Sequence, residues 1–193
     1  MKLDFESTQR RLKQHGLPTV KTWHRMQYPD AKKYFTDAFN MYVPNFEWQS
    51  EYDDVVDWLT DNQCRGLLMV GDVGRGKTMI ARNIIPTMFA WQNKKVFQYY
   101  MGAEINERKK EVLAKPYLKI IDEIGTEGEK VDYGQRSLVF KELLDKIEQD
   151  GGVCIATTNL NGERLLNEYG ERVMDRIKAL FKIVRFEGKS FRK

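Results

Sequence analysis

Gly71-Asp72-Val73-Gly74-Arg75-Gly76-Lys77-Thr78 is the stretch whose reading decides the fold. It fits G-x-x-x-x-G-K-[ST], the loop that wraps the phosphates of a nucleoside triphosphate. The apolar run Gly66-Leu67-Leu68-Met69-Val70 before it has the character of a strand, and Met79-Ile80-Ala81-Arg82 after it that of a helix. Glycines let the backbone aim several N–H groups at one phosphate, and the following helix adds its N-terminal donors and partial positive charge. The stretch from Gly71 to Met79 is therefore the expected nucleotide-binding segment. Lys77 is expected to reach the β- and γ-phosphates, and the Thr78 hydroxyl to bind Mg²⁺.

At 193 residues the chain has room for one main domain with a short appendage. Apolar residues at 41% can build a core, while 31% charged residues make the surface polar. A net charge of +4 and a pI near 8.9 are compatible with a nucleic-acid partner but too mild to argue for one. No apolar run approaches the ~20 residues of a membrane span, and the charged stretch Met1 to Arg11 has no signal-peptide core. Cys64 and Cys154 are the only cysteines, which suggests neither a disulfide framework nor a zinc site. Cys154 falls in an apolar strand pattern and is expected to be a buried small hydrophobe. A cytoplasmic location is the economical expectation, with no membrane partner.

Downstream of the loop, strand and helix patterns alternate. Val96 to Tyr100 reads as a strand, Ala103 to Ala114 as a polar helix stopped by Pro116, and Tyr117 to Asp122 as a strand. Gln135 to Gln149 carries Val139, Phe140, Leu143, Leu144 and Ile147 at helical spacing. Gly151-Gly152 breaks the chain before the strand Val153 to Thr157. Short helices are expected over Arg164–Glu168 and Glu171–Leu180, and a last strand over Lys182–Phe186. Such alternation gives a parallel sheet with helices on both faces and a ligand at the carboxyl ends of the strands. Residues 1–50 are expected to form an N-terminal helical segment that packs on the rest or binds a partner, and 51–193 the nucleotide-binding domain. Tyr34, Phe35, Ala38, Phe39 and Tyr42 form one helical stripe there, and Val55, Val56, Trp58 and Leu59 another. Eleven of the 23 aromatic residues lie at or before Trp58. Met1 to Gln14, with Arg10, Arg11 and Lys13, reads as a loosely held basic helix or tail.

Two more motifs point from binding to hydrolysis. Tyr117-Leu118-Lys119-Ile120-Ile121-Asp122-Glu123 is a mostly apolar strand ending in two acids, with Asp122 lying 45 residues after Lys77. A carboxylate at that strand tip can hold Mg²⁺, which is the role expected of Asp122. Glu123 can accept a proton from the water attacking the γ-phosphate. Thr157-Thr158-Asn159 ends the following strand, where the Asn159 amide can hydrogen-bond the γ-phosphate or the attacking water.

Phosphate loop, Asp-Glu strand and Thr-Thr-Asn strand together resemble the AAA+ ATPases. Within that superfamily the chain is most similar to DnaC-type helicase loaders and the related IstB transposition helpers. The likeness is carried by Ile120-Ile121-Asp122-Glu123-Ile124-Gly125, by Tyr169-Gly170-Glu171-Arg172-Val173-Met174-Asp175-Arg176, and by the tail Ser190-Phe191-Arg192. It spans roughly Tyr52 to Arg192. The resemblance implies a five-stranded parallel sheet flanked by helices, without a C-terminal lid domain. It implies ATP with Mg²⁺, an ATP-dependent homo-oligomer, and a neighbour's arginine completing each site. Arg176 is the candidate for that arginine and Arg172 the second choice; the alternative is a solvated helix face or pairing with Glu171 and Asp175. A replicative helicase is the implied partner, and single-stranded DNA a further one. The 16 residues between Tyr100 and Tyr117 leave room for one helix, whose Arg108-Lys109-Lys110 could touch phosphates or simply face solvent.

Four functions compete on these residues: an AAA+ helicase loader, an IstB-like or phage-encoded helper of transposition or DNA remodelling, a P-loop kinase, and a nucleotide-dependent scaffold. Glu123 beside Asp122 and the Thr157-Thr158-Asn159 strand end argue against the kinase, which would need an acceptor pocket and an arginine lid.

Overall fold

A computed structural model describes residues 4–16, 24–93, 96–115, 117–127, 131–132, 135–136 and 138–191. Five strands form one parallel sheet: β1 (Gly66–Gly71), β2 (Gln98–Met101), β3 (Leu118–Asp122), β6 (Val153–Thr158) and β7 (Phe181–Phe186), in the order β2-β3-β6-β1-β7. Two further short strands, β4 (Val131–Asp132) and β5 (Gln135–Arg136), pair antiparallel as a separate ribbon. The helices are α1 (Phe5–Gln14), α2 (Ala31–Tyr42), α3 (Glu51–Thr60), α4 (Lys77–Met79), α5 (Ile85–Asn93), α6 (Lys109–Val112), α7 (Val139–Asp150), α8 (Gly162–Tyr169) and α9 (Glu171–Leu180). No helix among the described residues is long and apolar enough to cross a membrane.

The central strands β3 and β6 are buried along their whole length, as strands covered on both faces must be. Alternation along β1 sends Leu67 and Met69 to one face and Leu68 to the other. The first face receives α2, α3 and the helical run after the phosphate loop; Phe35, Val55, Trp58 and Leu59 lie in that core, each at most 1% exposed. Burying such side chains stabilises by about 1.5–3 kcal/mol apiece. Trp58 also needs a partner for its indole N–H, and Arg65 O accepts it at 2.9 Å. Val139, Phe140, Leu143 and Leu144 of α7 fill the second face, together with Val173 and Ile177 of α9. Cys154 is 1% exposed within this second core, as its strand pattern implied.

Between α4 and α5 the chain takes a π-helical turn, Ile80–Ile84, in which Ile85 N bonds back to Ile80 O. Pro86 follows directly, and having no N–H it cannot continue the regular ladder.

Three expected elements change. The helix over Ala103–Ala114 dissolves into a 3₁₀ turn (Gly102–Glu104), further turns and the four-residue α6. Only Ile105 and Val112 are fully buried there, too few apolar anchors to hold a continuous helix. Pro116, its expected stop, lies outside the described residues. The helix expected from Gln135 begins at Val139, because Gln135 and Arg136 pair with β4. The strand expected over Val96–Tyr100 starts two residues later, where pairing with β3 begins at Gln98↔Lys119.

Candidate nucleotide site

β1 delivers the phosphate loop to the carboxyl edge of the sheet, beside the ends of β3 and β6. The loop's glycines answer definite steric demands. Gly71 sits at φ 134°, where a Cβ would approach Phe186 O to 2.0 Å, and Gly74 at φ 79°, where a Cβ would meet Ser190 Oγ at 2.0 Å. Asp72 faces solvent, its N–H donating to Phe186 O at 2.8 Å and its carboxylate accepting from Gly188 N at 2.9 Å. Val73 is 54% exposed at the loop tip, while Met79 packs partly buried against the core. Arg75 is turned inward, 8% exposed, and ion-pairs with Glu51 at the start of α3.

Lys77 is only 6% exposed. Its ammonium donates to Gly71 O (2.8 Å), Asp72 O (2.7 Å) and Asn159 Oδ1 (2.9 Å), so it bridges the phosphate loop and the end of β6. Thr78 Oγ1 donates to Asp122 Oδ1 at 3.1 Å, drawing together the two expected Mg²⁺ ligands. Asp122 is 1% exposed and also accepts from Thr157 Oγ1 at 2.5 Å and Tyr99 OH at 2.9 Å. Three hydroxyls donate to this one buried side chain, satisfy its acceptor oxygens and fix its plane. Burial, and then the bond to Asp122, push the Tyr99 phenol well above its ordinary value, so it remains a donor at every physiological pH.

A hydroxyl and a carboxylate at contact distance are hard oxygen donors that suit Mg²⁺, which binds few protein groups and completes its octahedron with phosphate oxygens and water. Among the described residues no group of three or more His, Cys, Asp or Glu is clustered as a dedicated metal cage.

Glu123 follows Asp122 in a left-handed conformation, φ 63°, unusual for a residue with a side chain. Its N–H donates to Thr157 Oγ1 at 2.9 Å and its carbonyl accepts from Thr126 Oγ1 at 2.6 Å. The reversal places Glu123 on the wall of a cleft of about 870 Å³, shared with Lys77, Thr78, Arg82, Thr157 and Asn159. The site thus gathers Lys77, Thr78, Asp122, Glu123 and Asn159 in one place. Lys77, Thr78, Glu123 and Asn159 line a single cleft, and Asp122 lies buried behind Thr78.

Beyond Glu123 the loop is tied down by Glu127, which accepts from Gly125 N at 2.7 Å and from the Tyr169 hydroxyl of α8. Burial pushes the Glu127 carboxyl above its ordinary 4.5. The native state therefore holds its proton to higher pH than the unfolded chain does, and stability falls as pH rises from about 4.5 through the raised value. Glu127→Gln keeps an acceptor for Gly125 and removes the titration. Denaturant unfolding at pH 5 and pH 8 is expected to show a smaller loss for the variant than for the unaltered chain.

The two arginines of α9 are placed away from these groups. Arg176 bonds to Asp145 (2.6 Å) and Glu148 (2.8 Å) of α7, rather than to Glu171 or Asp175, and its side chain is 15% exposed. Arg172 is exposed and makes no hydrogen bond or ion pair among the described residues. Of the basic cluster, Arg108 pairs with Glu104 (3.9 Å) and Glu111 (2.6 Å), and Lys109 with Glu142 (2.7 Å), so two of its three charges are already compensated.

No protein-family model matches the chain, and no curated protein matches it in sequence. Solved structures do. The DnaC helicase loader is similar over 81% of this chain and 99% of its own, at 16% identity and a TM-score of 0.55. DnaI is similar over 84% and 96%, at 16% identity and a TM-score of 0.60. The chain shares the fold of these two solved structures. AMPPCP-bound DnaA from Aquifex aeolicus is similar over 76% of this chain and 50% of its own, at 15% identity and a TM-score of 0.51. The likeness to DnaC and DnaI is one of fold, since the identities are low.

Sequence reasoning missed two contributors to this candidate site. Tyr99 lies on a strand whose only local signal was apolarity, and it meets Asp122 through the β2–β3 register. Glu51, 24 residues before Arg75, carried no motif at all.

Proposed function

We propose that the protein is an ATP-binding and ATP-hydrolysing AAA+ protein that acts in DNA replication as a DnaC-like helicase loader. The observation that carries the nucleotide reading is the junction of Lys77 with Asn159 and of Thr78 with Asp122, with Glu123 on the same cleft wall. Lys77 and the loop N–H groups bind the phosphates, and Asn159 meets the γ-phosphate or the water in front of it. Thr78 and Asp122 would hold Mg²⁺, which when bound neutralises charge on the phosphate oxygens. Glu123 takes the proton of the attacking water, and Tyr99 and Thr157 hold the neighbouring Asp122 carboxylate in its orientation. The N-terminal residues 1–50 serve partner binding or packing, and 51–193 the ATPase.

The helicase partner rests on the fold shared with the DnaC helicase loader. Its test is copurification of a replicative helicase with the protein in ATP, together with phosphate release with and without single-stranded DNA. Absence of both helicase capture and DNA stimulation would remove the loader reading while leaving the ATPase standing.

A shared site in an ATP-dependent homo-oligomer makes specific activity climb with protein concentration. Helix α9 is the element proposed to act in trans. Arg172 is free to reach a neighbour, whereas Arg176 must first leave Asp145 and Glu148. Arg172→Ala is expected to abolish the climb with thermal stability unchanged. Arg176→Ala is expected to lower stability as well, because it strands two α7 carboxylates. A climb lost only in Arg176→Ala, at normal stability, would assign the role to Arg176. A climb kept by both would end the shared-site reading.

A further inference from the structure

The tail after β7 belongs to the nucleotide cleft. Gly188 N donates to Asp72 Oδ2 at 2.9 Å, Lys189 O accepts from Arg75 Nη1 at 3.1 Å, and Phe191 N donates to Gly74 O at 3.0 Å. Each of these bonds ends on a residue of the phosphate loop. Arg75 is the hub: one guanidinium ion-pairs with Glu51, bonds the tail carbonyl, and lies 4.1 Å from the centroid of the Phe191 ring. This buried pair, 9% and 8% exposed, explains why a loop position that could face solvent is turned inward. Gly74 is required for the same reason, since Ser190 occupies the space a Cβ would need.

Phe191 itself lines the cleft and remains 47% exposed. The other rings nearby have partners: Phe39 stacks on Phe46 at 4.3 Å and on Tyr52 at 5.3 Å, and Phe39 and Tyr52 are each 3% exposed. Phe191 makes no ring–ring contact among the described residues, only the cation–π contact with Arg75. An immobilised, half-exposed aromatic ring beside a phosphate-binding loop is suited to a flat ligand group joined to phosphates. We propose that Phe191 stacks on the purine base of the bound nucleoside triphosphate, with Arg75 and Glu51 as positioning residues that hold the tail in place. The inference rests on the nucleotide reading above and assigns the base end of that site.

The test compares ATP with ribose 5-triphosphate, the same ligand without its base, by calorimetric titration of the full chain. Base–aromatic stacking is worth enough to change affinity by about tenfold or more. Phe191→Ala is expected to weaken ATP by that factor and to leave ribose 5-triphosphate unchanged, which also reports an intact loop. Phe191→Trp is expected to restore ATP affinity and to lose indole emission when ATP, but not ribose 5-triphosphate, is added. Lys77→Ala is expected to lose both ligands. Unchanged ATP affinity in Phe191→Ala, or an equal loss of both ligands, overturns the stacking role. If the unaltered protein binds neither ligand, the phosphate-loop reading itself falls.

Discussion

Glu123→Gln is expected to bind ATP as well as the unaltered protein and to release phosphate about 10²–10⁴ times more slowly, the usual worth of a positioned general base. The substitution is isosteric and touches nothing that holds the loop. Glu123 contributes its backbone to the fold: N–H to Thr157, carbonyl to Thr126, and a close approach in which a Cβ on Gly102 would lie 2.2 Å from Glu123 O. Those contacts confine the residue to φ 63°, at a cost of about 1–3 kcal/mol for a residue with a side chain. A glycine would suffice for the turn. Glu123→Gly provides the complementary measurement. It should relieve strain, raise unfolding stability by about 1 kcal/mol, and still lose hydrolysis. Phosphate release and denaturant unfolding on the two variants together separate chemistry from conformation. Normal turnover in Glu123→Gln would place the base elsewhere.

The sheet and much of the site could be read from the sequence because their signals are local. The phosphate loop is eight consecutive residues, and Asp122-Glu123 and Thr157-Thr158-Asn159 each sit at the tip of an apolar run. Once three such strands are parallel neighbours, their ends must converge. What could not be read depends on register or on distant pairing. Tyr99 reaches Asp122 because Met101 pairs with Asp122 and alternation brings residue 99 alongside. Arg75, within the expected binding segment, is tied to Glu51 and the tail, partners that no local signal in the sequence announced. Arg176, the candidate for the arginine acting on a neighbour's site, pairs with Asp145 and Glu148 because α7 packs against α9, and no motif in the sequence pointed to those two carboxylates. The polar helix over 103–114 failed for a different reason. Helix propensity without an apolar stripe supplies too little tertiary burial to hold a full-length helix.

Read from Asp122 outward, the architecture explains how a carboxylate can be buried and still serve. Asp122 is 1% exposed, so its oxygens must find their hydrogen bonds within the protein. Hydroxyls from Thr78, Thr157 and Tyr99 come from three different elements and supply them. Any displacement of the helix that begins at Lys77 relative to β3 or β6 would therefore loosen the same carboxylate. This gives the phosphate loop and the Asp-Glu strand a common mechanical fate.

Lys77→Ala is expected to reduce ATP affinity by at least about 100-fold. The ammonium already bonds three acceptors, at 2.7–2.9 Å, and two of them are carbonyls of the loop it must hold. Bonds to a charged group are each worth about 1.5–3 kcal/mol, so losing two to phosphate oxygens costs about 3–6 kcal/mol, or a factor of 100 or more. The same truncation leaves Gly71 O and Asp72 O without their cation, so part of the loss would come from a relaxed loop. Lys77→Met retains the aliphatic stem and separates the two contributions. A melting temperature near that of the unaltered protein, with ATP binding still lost, would attribute the effect to the charge. Titration with a fluorescent ATP analogue reads affinity directly, and Asn159→Ala should show a smaller loss because it removes only one acceptor of the ammonium. Undiminished affinity in both lysine variants would mean that Gly71–Thr78 does not hold the phosphates, and every role assigned around it would have to be withdrawn.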